Sequence, residues 1–308
     1  MGEKIKYLRL ILTENCNLKC QYCHKEGIQY KQQSTIDLEQ SKILIKILYR
    51  YGIRKFKLMG GEPTLYKYTE DIIRSIKLLG NDTDVSIITN GLFNKNIMRS
   101  YIEAGLDRVN VSVHSWGSPV TMNLVGMNDL QLNKLKFNMN YLISNNMLSK
   151  INYVFMRNQE KKELIELIKW VDNKRLVIDI LNVLTNLGTN YEEYCSFGEI
   201  EKFIRENFVV NHEYYKNNLF SLPSKRLVLE NGGEINLKTT QLNKCRPFKS
   251  CDICNVSECC IEGIKAIRLT TNNTIQPCLV RNDNILKITD FTDEYIVENK
   301  VFKYLDML

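Results

Sequence analysis

From its start to about Val183 the chain alternates short β-branched runs with longer segments of helical period. This alternation constrains the fold more than any other feature, because a strand followed by a helical crossover brings the next strand in parallel to the last. The strand candidates are Tyr7–Leu12, Lys55–Met59, Asp84–Thr89, Arg108–Val113, Ile151–Phe155 and Leu176–Val183. Helices are expected over Asp37–Tyr51, Thr69–Leu79, Lys95–Ala104, Asn128–Asn145 and Lys161–Asp172, the first ending at Gly52 as a helix with a glycine stop does. Six such units predict an α/β protein whose sheet is a curved, partial (β/α)6 TIM-like barrel. Periodicity alone fits a flat doubly wound sheet as well.

A chain of 308 residues with 44% hydrophobic content can bury a large core, enough for one big domain or one domain with an appendage. No stretch approaches the roughly 20 apolar residues of a membrane span, and Met1 to Lys6 is too charged and short for a signal peptide, so the cytoplasm is expected. In a reducing compartment, ten cysteines point to metal or redox chemistry rather than disulfides. They fall into two groups, with Cys195 apart from both as a structural thiol. The net charge of +7 has no long basic block of the kind found in nucleic-acid-binding arms, yet it favours an anionic substrate. The rhythm of units fades after about Thr185, and Cys245 to Cys278 holds six cysteines. We therefore expect a core over residues 1–185 and a C-terminal region over 186–308, with a metal-dependent appendage at about 245–280.

Cys16, Cys20 and Cys23 follow the first strand in the spacing Cys-x3-Cys-x2-Cys. Three thiolates can hold three irons of a [4Fe–4S] cluster and leave the fourth open to a ligand, since such clusters otherwise take four cysteines. A zinc site would need a fourth ligand, and His24 is awkwardly placed for that, being adjacent to Cys23. The loop also lies beyond the C-terminal end of a strand, where α/β barrels carry their active sites. Asn90-Gly91 alone reads as a turn, and His114 is given no role.

The run Leu12-Thr13-Glu14-Asn15-Cys16-Asn17-Leu18-Lys19-Cys20-Gln21-Tyr22-Cys23 resembles the signature of the radical S-adenosylmethionine (SAM) superfamily. Gly60-Gly61-Glu62-Pro63, Ile88-Thr89-Asn90-Gly91 and Val111-Ser112-Val113-His114 follow on successive strands, as they do in that family. The resemblance implies a [4Fe–4S] cluster on Cys16, Cys20 and Cys23. It places SAM against Tyr22, Gly60, Gly61, Glu62, Pro63, Thr89, Asn90 and Ser112, with the amino group near the glycine turn. It further implies reductive cleavage of SAM to a 5′-deoxyadenosyl radical that removes a hydrogen atom from the substrate, oxygen sensitivity, and an electron donor such as flavodoxin or ferredoxin.

Within that superfamily, several segments resemble the GTP 3′,8-cyclases of molybdenum-cofactor biosynthesis. These are Tyr7-Leu8-Arg9-Leu10, Lys55-Phe56-Lys57, Ile151-Asn152-Tyr153-Val154-Phe155-Met156 with the helix after it, Ile267-Arg268-Leu269-Thr270 and Pro277-Cys278-Leu279. The resemblance gives Arg9, Lys55, Lys57 and Arg268 a part in holding a nucleotide or other phosphorylated small molecule. The chain departs from the cyclases in its C-terminal cysteine spacing, in Ala266 where they carry an arginine, and in its final residues Asp306-Met307-Leu308. Those departures resemble the auxiliary-cluster (SPASM/twitch-type) branch, whose members modify ribosomally made peptides. No recognition domain is evident before the first strand, which favours the small molecule. Cys251, Cys254, Cys260 and Cys278 are the expected ligands of a second [4Fe–4S] cluster, with Cys245 or Cys259 able to replace one of them. A zinc knuckle is the alternative for Cys251-x2-Cys254. A fold that has lost its activity and only binds is a third reading, opposed by the intact Glu62 and cysteines.

Overall fold

The structure, a computed structural model, describes residues 5–27, 34–183, 194–218, 220–238, 246–254, 260, 264–279, 281 and 283–308. The first half of the chain runs β1 (Tyr7–Thr13), α1 (Leu38–Tyr51), β2 (Lys55–Gly60), α2 (Thr69–Lys77), β3 (Asp84–Thr89), α3 (Lys95–Glu103), β4 (Arg108–Ser112), α4 (Pro119–Val125), α5 (Asp129–Ser144), β5 (Leu148–Phe155), α6 (Lys161–Asn173) and β6 (Val177–Asn182). Strands β1 to β6 are neighbours in chain order and all parallel. A doubly wound sheet would reverse direction at a switch point; this one does not, so the six units wind one way as in a barrel.

Local signals set the ends of these elements. Asp37 caps α1 by accepting from the Gln40 N–H at 2.9 Å, and Gly52, at φ 125°, turns its N–H back onto the Leu48 and Tyr49 carbonyls. Asn128 and Gln131 form a reciprocal capping box at the start of α5. Helix α4 is not among the helices that periodicity predicts, because seven residues are too few to show a period. Its signals are Pro119 in the first turn and Gly126, which stops it at φ 66°.

The remaining elements are α7 (Phe197–Asn207), β7 (Val210–Asn218), β8 (Ser221–Leu229), β9 (Glu234–Lys238), β10 (Ile267–Leu269), β11 (Thr274–Gln276), β12 (Leu286–Lys287) and α8 (Glu294–Met307). The sequence offers no strand after Val183, yet six more extend the same sheet on both sides. Parallel β9 adds to β6 and is followed outward by β8 and β7. On the other side β10 lies parallel to β1, with β11 and β12 beyond it. Two of these strands have three residues, one has two, and β7 is a polar edge strand, so these four show no long buried β-branched run.

Side-chain alternation separates the two faces of the sheet. Leu8, Leu10 and Leu12 of β1 are fully buried in the main core. Tyr7, Arg9 and Ile11 point to the opposite, concave face, where Ile11, Met59 and Ile88 form a small apolar cluster of their own. The concave face carries the candidate site. Among the described residues no helix is long and apolar enough to cross a membrane.

Candidate active site

The loop after β1 presents Cys16 and Cys23 to solvent and half-buries Cys20; none of the three is in a disulfide. The backbone of the loop is clamped from α4, with the Lys19 N–H donating to the Val125 carbonyl at 3.0 Å and the Gln21 N–H to Leu124 at 3.1 Å. The half-buried Cys20 is pushed up to about 12, by burial first and then by Cys23 and Cys16. Thiolates gathered this closely repel one another unless cations lie between them, and bound iron supplies those cations. The donor set therefore fits a three-thiolate cluster. No group of three or more Cys, His, Asp or Glu side chains among the described residues is itself drawn to metal-holding distance. His24 is turned to its own loop, its Nδ1 accepting from the Glu26 N–H at 3.1 Å.

The glycine turn lies directly against this loop. The Gly61 N–H donates to the Thr13 carbonyl and the Glu62 N–H to the Asn15 carbonyl, both at 2.7 Å. Gly60 has φ 149°, and a Cβ there would stand 3.1 Å from the Thr13 nitrogen. The glycines thus let the cluster loop and the β2 turn touch backbone to backbone. Pro63 is buried and opens a short 3-10 turn.

Glu62 is 1% exposed and tied to the protein on both carboxylate oxygens. One accepts from the Thr64 N–H (3.1 Å), the Thr64 hydroxyl (2.7 Å) and the Thr89 hydroxyl (2.8 Å), and the other from the Asn90 N–H at 2.8 Å. Burial pushes its carboxyl up, and these donors oppose the shift. Asn90 is more than a turn residue, since its side-chain amide donates to Asn17 at 2.7 Å and approaches the Cys16 Sγ at 3.9 Å. Glu62, Thr89 and Asn90 thereby join the ends of β2 and β3 to the cluster loop.

Tyr22 reaches across to the end of β4, where its hydroxyl lies 2.8 Å from the His114 Nδ1. Burial pushes His114 down to about 4, which keeps the imidazole neutral, and it holds Tyr22 well above the ordinary tyrosine value. With both rings neutral, the two share one hydrogen bond whose donor is set by the tautomer of the imidazole. Ser112 is half-buried at the end of β4, paired in register with Asn152. The segment leading into α4 is fixed by the buried Glu163, which accepts from the N–H groups of Trp116 and Ser118 and from the Thr121 hydroxyl. The sequence singles out neither His114 nor Glu163, because their partners are remote in the chain.

Deeper along the concave face lies a layer of cations. Arg9, Lys57 and Arg268 stand side by side in register on β1, β2 and β10, and Arg268 is fully buried. Lys55 lies below them, its amine 4.9 Å from the Tyr7 ring centre and 4.7 Å from that of Phe220. None of the four is an ordinary surface charge. Arg108 pairs with Asp84, and Lys150, which no sequence signal marks, pairs with the buried Asp179. Lys57 differs from these, because among the described residues no hydrogen bond or ion pair engages its amine. Burial first, and then the charges of Lys150, Arg9, Lys55 and Arg108, hold it well below the usual lysine value.

In the C-terminal region Cys251, Cys254, Cys260 and Cys278 are each half-buried. Burial raises Cys251, and Cys278, Cys260 and Cys254 lie near enough to raise it further. This grouping is compatible with an auxiliary cluster. Cys245 and Cys259 lie outside the described residues. Cys195 is buried in the main core, as expected of a structural thiol.

Comparison with known proteins agrees with this geometry. The chain is 29% identical over 295 residues to a probable GTP 3′,8-cyclase of Methanocella arvoryzae, covering 95% of this chain and 87% of the relative. The probable GTP 3′,8-cyclase of Methanocaldococcus jannaschii is 27% identical over 291 residues, covering 93% and 89%. Among solved structures, Streptococcus suis SuiB bound to its precursor peptide SuiA aligns with a TM-score of 0.60 at 16% identity, over 89% of this chain. The chain spans only 59% of SuiB. The enzyme anSMEcpe with bound AdoMet and a Kp18Cys peptide aligns with a TM-score of 0.52 at 19% identity, over 66% of this chain and 59% of that one. At such identities these two likenesses speak to the fold alone. The sequence profile of the radical SAM superfamily matches residues 10–171, from the first strand through the sixth helix and so more than half of the chain, and this protein is accordingly an enzyme belonging to that superfamily.

Proposed function

We propose that the substrate is a nucleoside triphosphate or a similarly phosphorylated small molecule, transformed in a cyclase-like radical reaction. The observation that carries this reading is Lys57, a half-buried lysine with no carboxylate partner among the described residues, on which the charges of Lys150, Arg9, Lys55 and Arg108 all act unfavourably. Such a group is costly until an anion arrives. Arg9 and Arg268 flank it in register, and Lys55 lies below.

A cluster held by Cys16, Cys20 and Cys23, together with SAM, supplies the hydrogen-abstracting power that no side chain has. Gly60, Gly61, Pro63, Thr89, Asn90, Ser112 and Tyr22 line the place for SAM. Glu62, occupied by protein donors, holds the turn whose backbone carbonyls would accept from the amino group. The cations lie deep in the barrel, the cysteines sit at its mouth, and Ile11, Met59 and Ile88 lie between. A substrate anchored by its phosphates would thus place its remaining part in an apolar, water-poor layer next to SAM.

The cyclase names of the curated relatives make GTP the first nucleotide to test. We assign the radical core to residues 1–185 and a second cluster to Cys251, Cys254, Cys260 and Cys278 in the region 186–308. A flavodoxin or ferredoxin in the cytoplasm would supply the electrons. The long interval from Cys251 and Cys254 to Cys278 favours the second reading, modification of a peptide.

The test is calorimetric binding of GTP and other nucleoside triphosphates to the anaerobically reconstituted enzyme. Wild type is expected to bind, and Lys57→Ala and Arg9→Ala are each expected to weaken binding by about tenfold or more, the worth of one charge-assisted contact. Failure of every nucleoside phosphate to bind would overturn the reading.

A further inference from the structure

Three residues after Cys23 the chain makes a turn in which Lys25, Glu26 and Gly27 have φ of 47°, 53° and 72°. Two consecutive non-glycine residues in the left-handed region are strained, and such strain persists only where the surroundings hold it. Here the surroundings are charged. Glu26 is 8% exposed, and its Oε2 lies 3.4 Å from the Arg9 Nη2 and 3.7 Å from the Arg268 Nε. Both separations exceed the roughly 2.7–2.9 Å of a tight guanidinium–carboxylate contact. The turn also backs onto the second cysteine group, since a Cβ on Gly27 would stand 3.1 Å from the Leu279 side chain, next to Cys278.

We propose that Glu26 is a built-in counter-ion of the Arg9–Arg268 pair that gives way to an anionic group of the substrate. The inference rests on the phosphate-binding reading above and adds to it a residue that sets how much negative charge the site accepts. The Glu26 carboxylate stands at these separations from both guanidinium groups, and a phosphoryl group can offer each a closer contact. When Glu26 yields, the turn beside Cys23 is released from its strained seat. Anion binding in the barrel is thereby linked to the loop that carries the first cysteine group.

The test measures binding of inorganic tripolyphosphate to the reconstituted enzyme as wild type, Glu26→Gln, Glu26→Gly and Arg9→Ala. Glycine suits the left-handed position, so Glu26→Gly removes the carboxylate while easing the backbone. Both Glu26 variants are expected to bind about tenfold tighter than wild type or better, and Arg9→Ala more weakly than wild type. Equal or weaker binding by both Glu26 variants, with binding still sensitive to Arg9→Ala, would overturn the counter-ion role and leave the phosphate site standing. Absence of binding in wild type and variants alike would overturn both.

Discussion

Replacing Cys16, Cys20 and Cys23 together with alanine is expected to lower the iron bound after anaerobic reconstitution from about eight to about four per chain. Formation of 5′-deoxyadenosine from SAM should fall at least about a thousandfold, because the reaction has no other source of reducing power at that place. The effect should be this large because no nearby group can substitute. His24 is engaged with its own loop, and the C-terminal cysteines belong to a separate group. Iron and sulfide counts with electron paramagnetic resonance check the first value, and chromatography of the products checks the second. About four irons in wild type with zinc in the remainder would assign the C-terminal group to a zinc knuckle. Near-normal 5′-deoxyadenosine in the variant would contradict the assignment of the three cysteines.

Gly61→Ala is expected to destabilise the fold by about 3 kcal/mol and to weaken SAM binding by more than about tenfold. A Cβ on Gly61 runs into the Asn15 carbonyl and would stand 2.6 Å from the Glu14 carbonyl oxygen. All of these are backbone atoms of the loop that leads to Cys16, so relief requires the loop to move off the β2 turn. That movement would break the two 2.7 Å hydrogen bonds from Gly61 and Glu62 to Thr13 and Asn15. Gly52→Ala is the fitting control. Its added Cβ meets nothing within 4 Å, and only its φ of 125° is strained, so it should cost about 1–2 kcal/mol and leave SAM binding unchanged. Denaturant unfolding and SAM titration distinguish the two outcomes; equal effects of the two substitutions would remove the special role given to the turn.

Much of the barrel is legible in the sequence because its six parallel strands are hydrophobic runs separated by helical periods. Asp84–Thr89 falls where expected, and the other five strands differ only at their ends. The cysteine spacing and the glycine turn are legible for a different reason, since ligand chemistry and close backbone approach demand particular residues. What could not be read depends on register between distant segments. Arg9 and Arg268 come from opposite ends of the chain and become neighbours only because β10 adds to β1. The seat of Glu26 depends on that assembly, and the pairing of Lys150 with Asp179 depends on the register of β5 against β6. Glu163 looks like any helix-surface carboxylate until the Trp116–Thr121 segment folds onto it. Glu62 shows the opposite limit, because the motif marks it out but does not reveal that protein donors already fill its oxygens.

If a phosphorylated nucleoside is the molecule attacked, its hydrogen can be followed into the product. Reduced enzyme would be incubated with SAM and GTP deuterated on the ribose carbons, and the 5′-deoxyadenosine analysed by mass spectrometry. GTP or another nucleoside phosphate is expected to stimulate 5′-deoxyadenosine formation, with deuterium from its ribose appearing in the product. Turnover that ignores every nucleoside phosphate, with deuterium arriving instead from a labelled peptide, would contradict the proposed substrate.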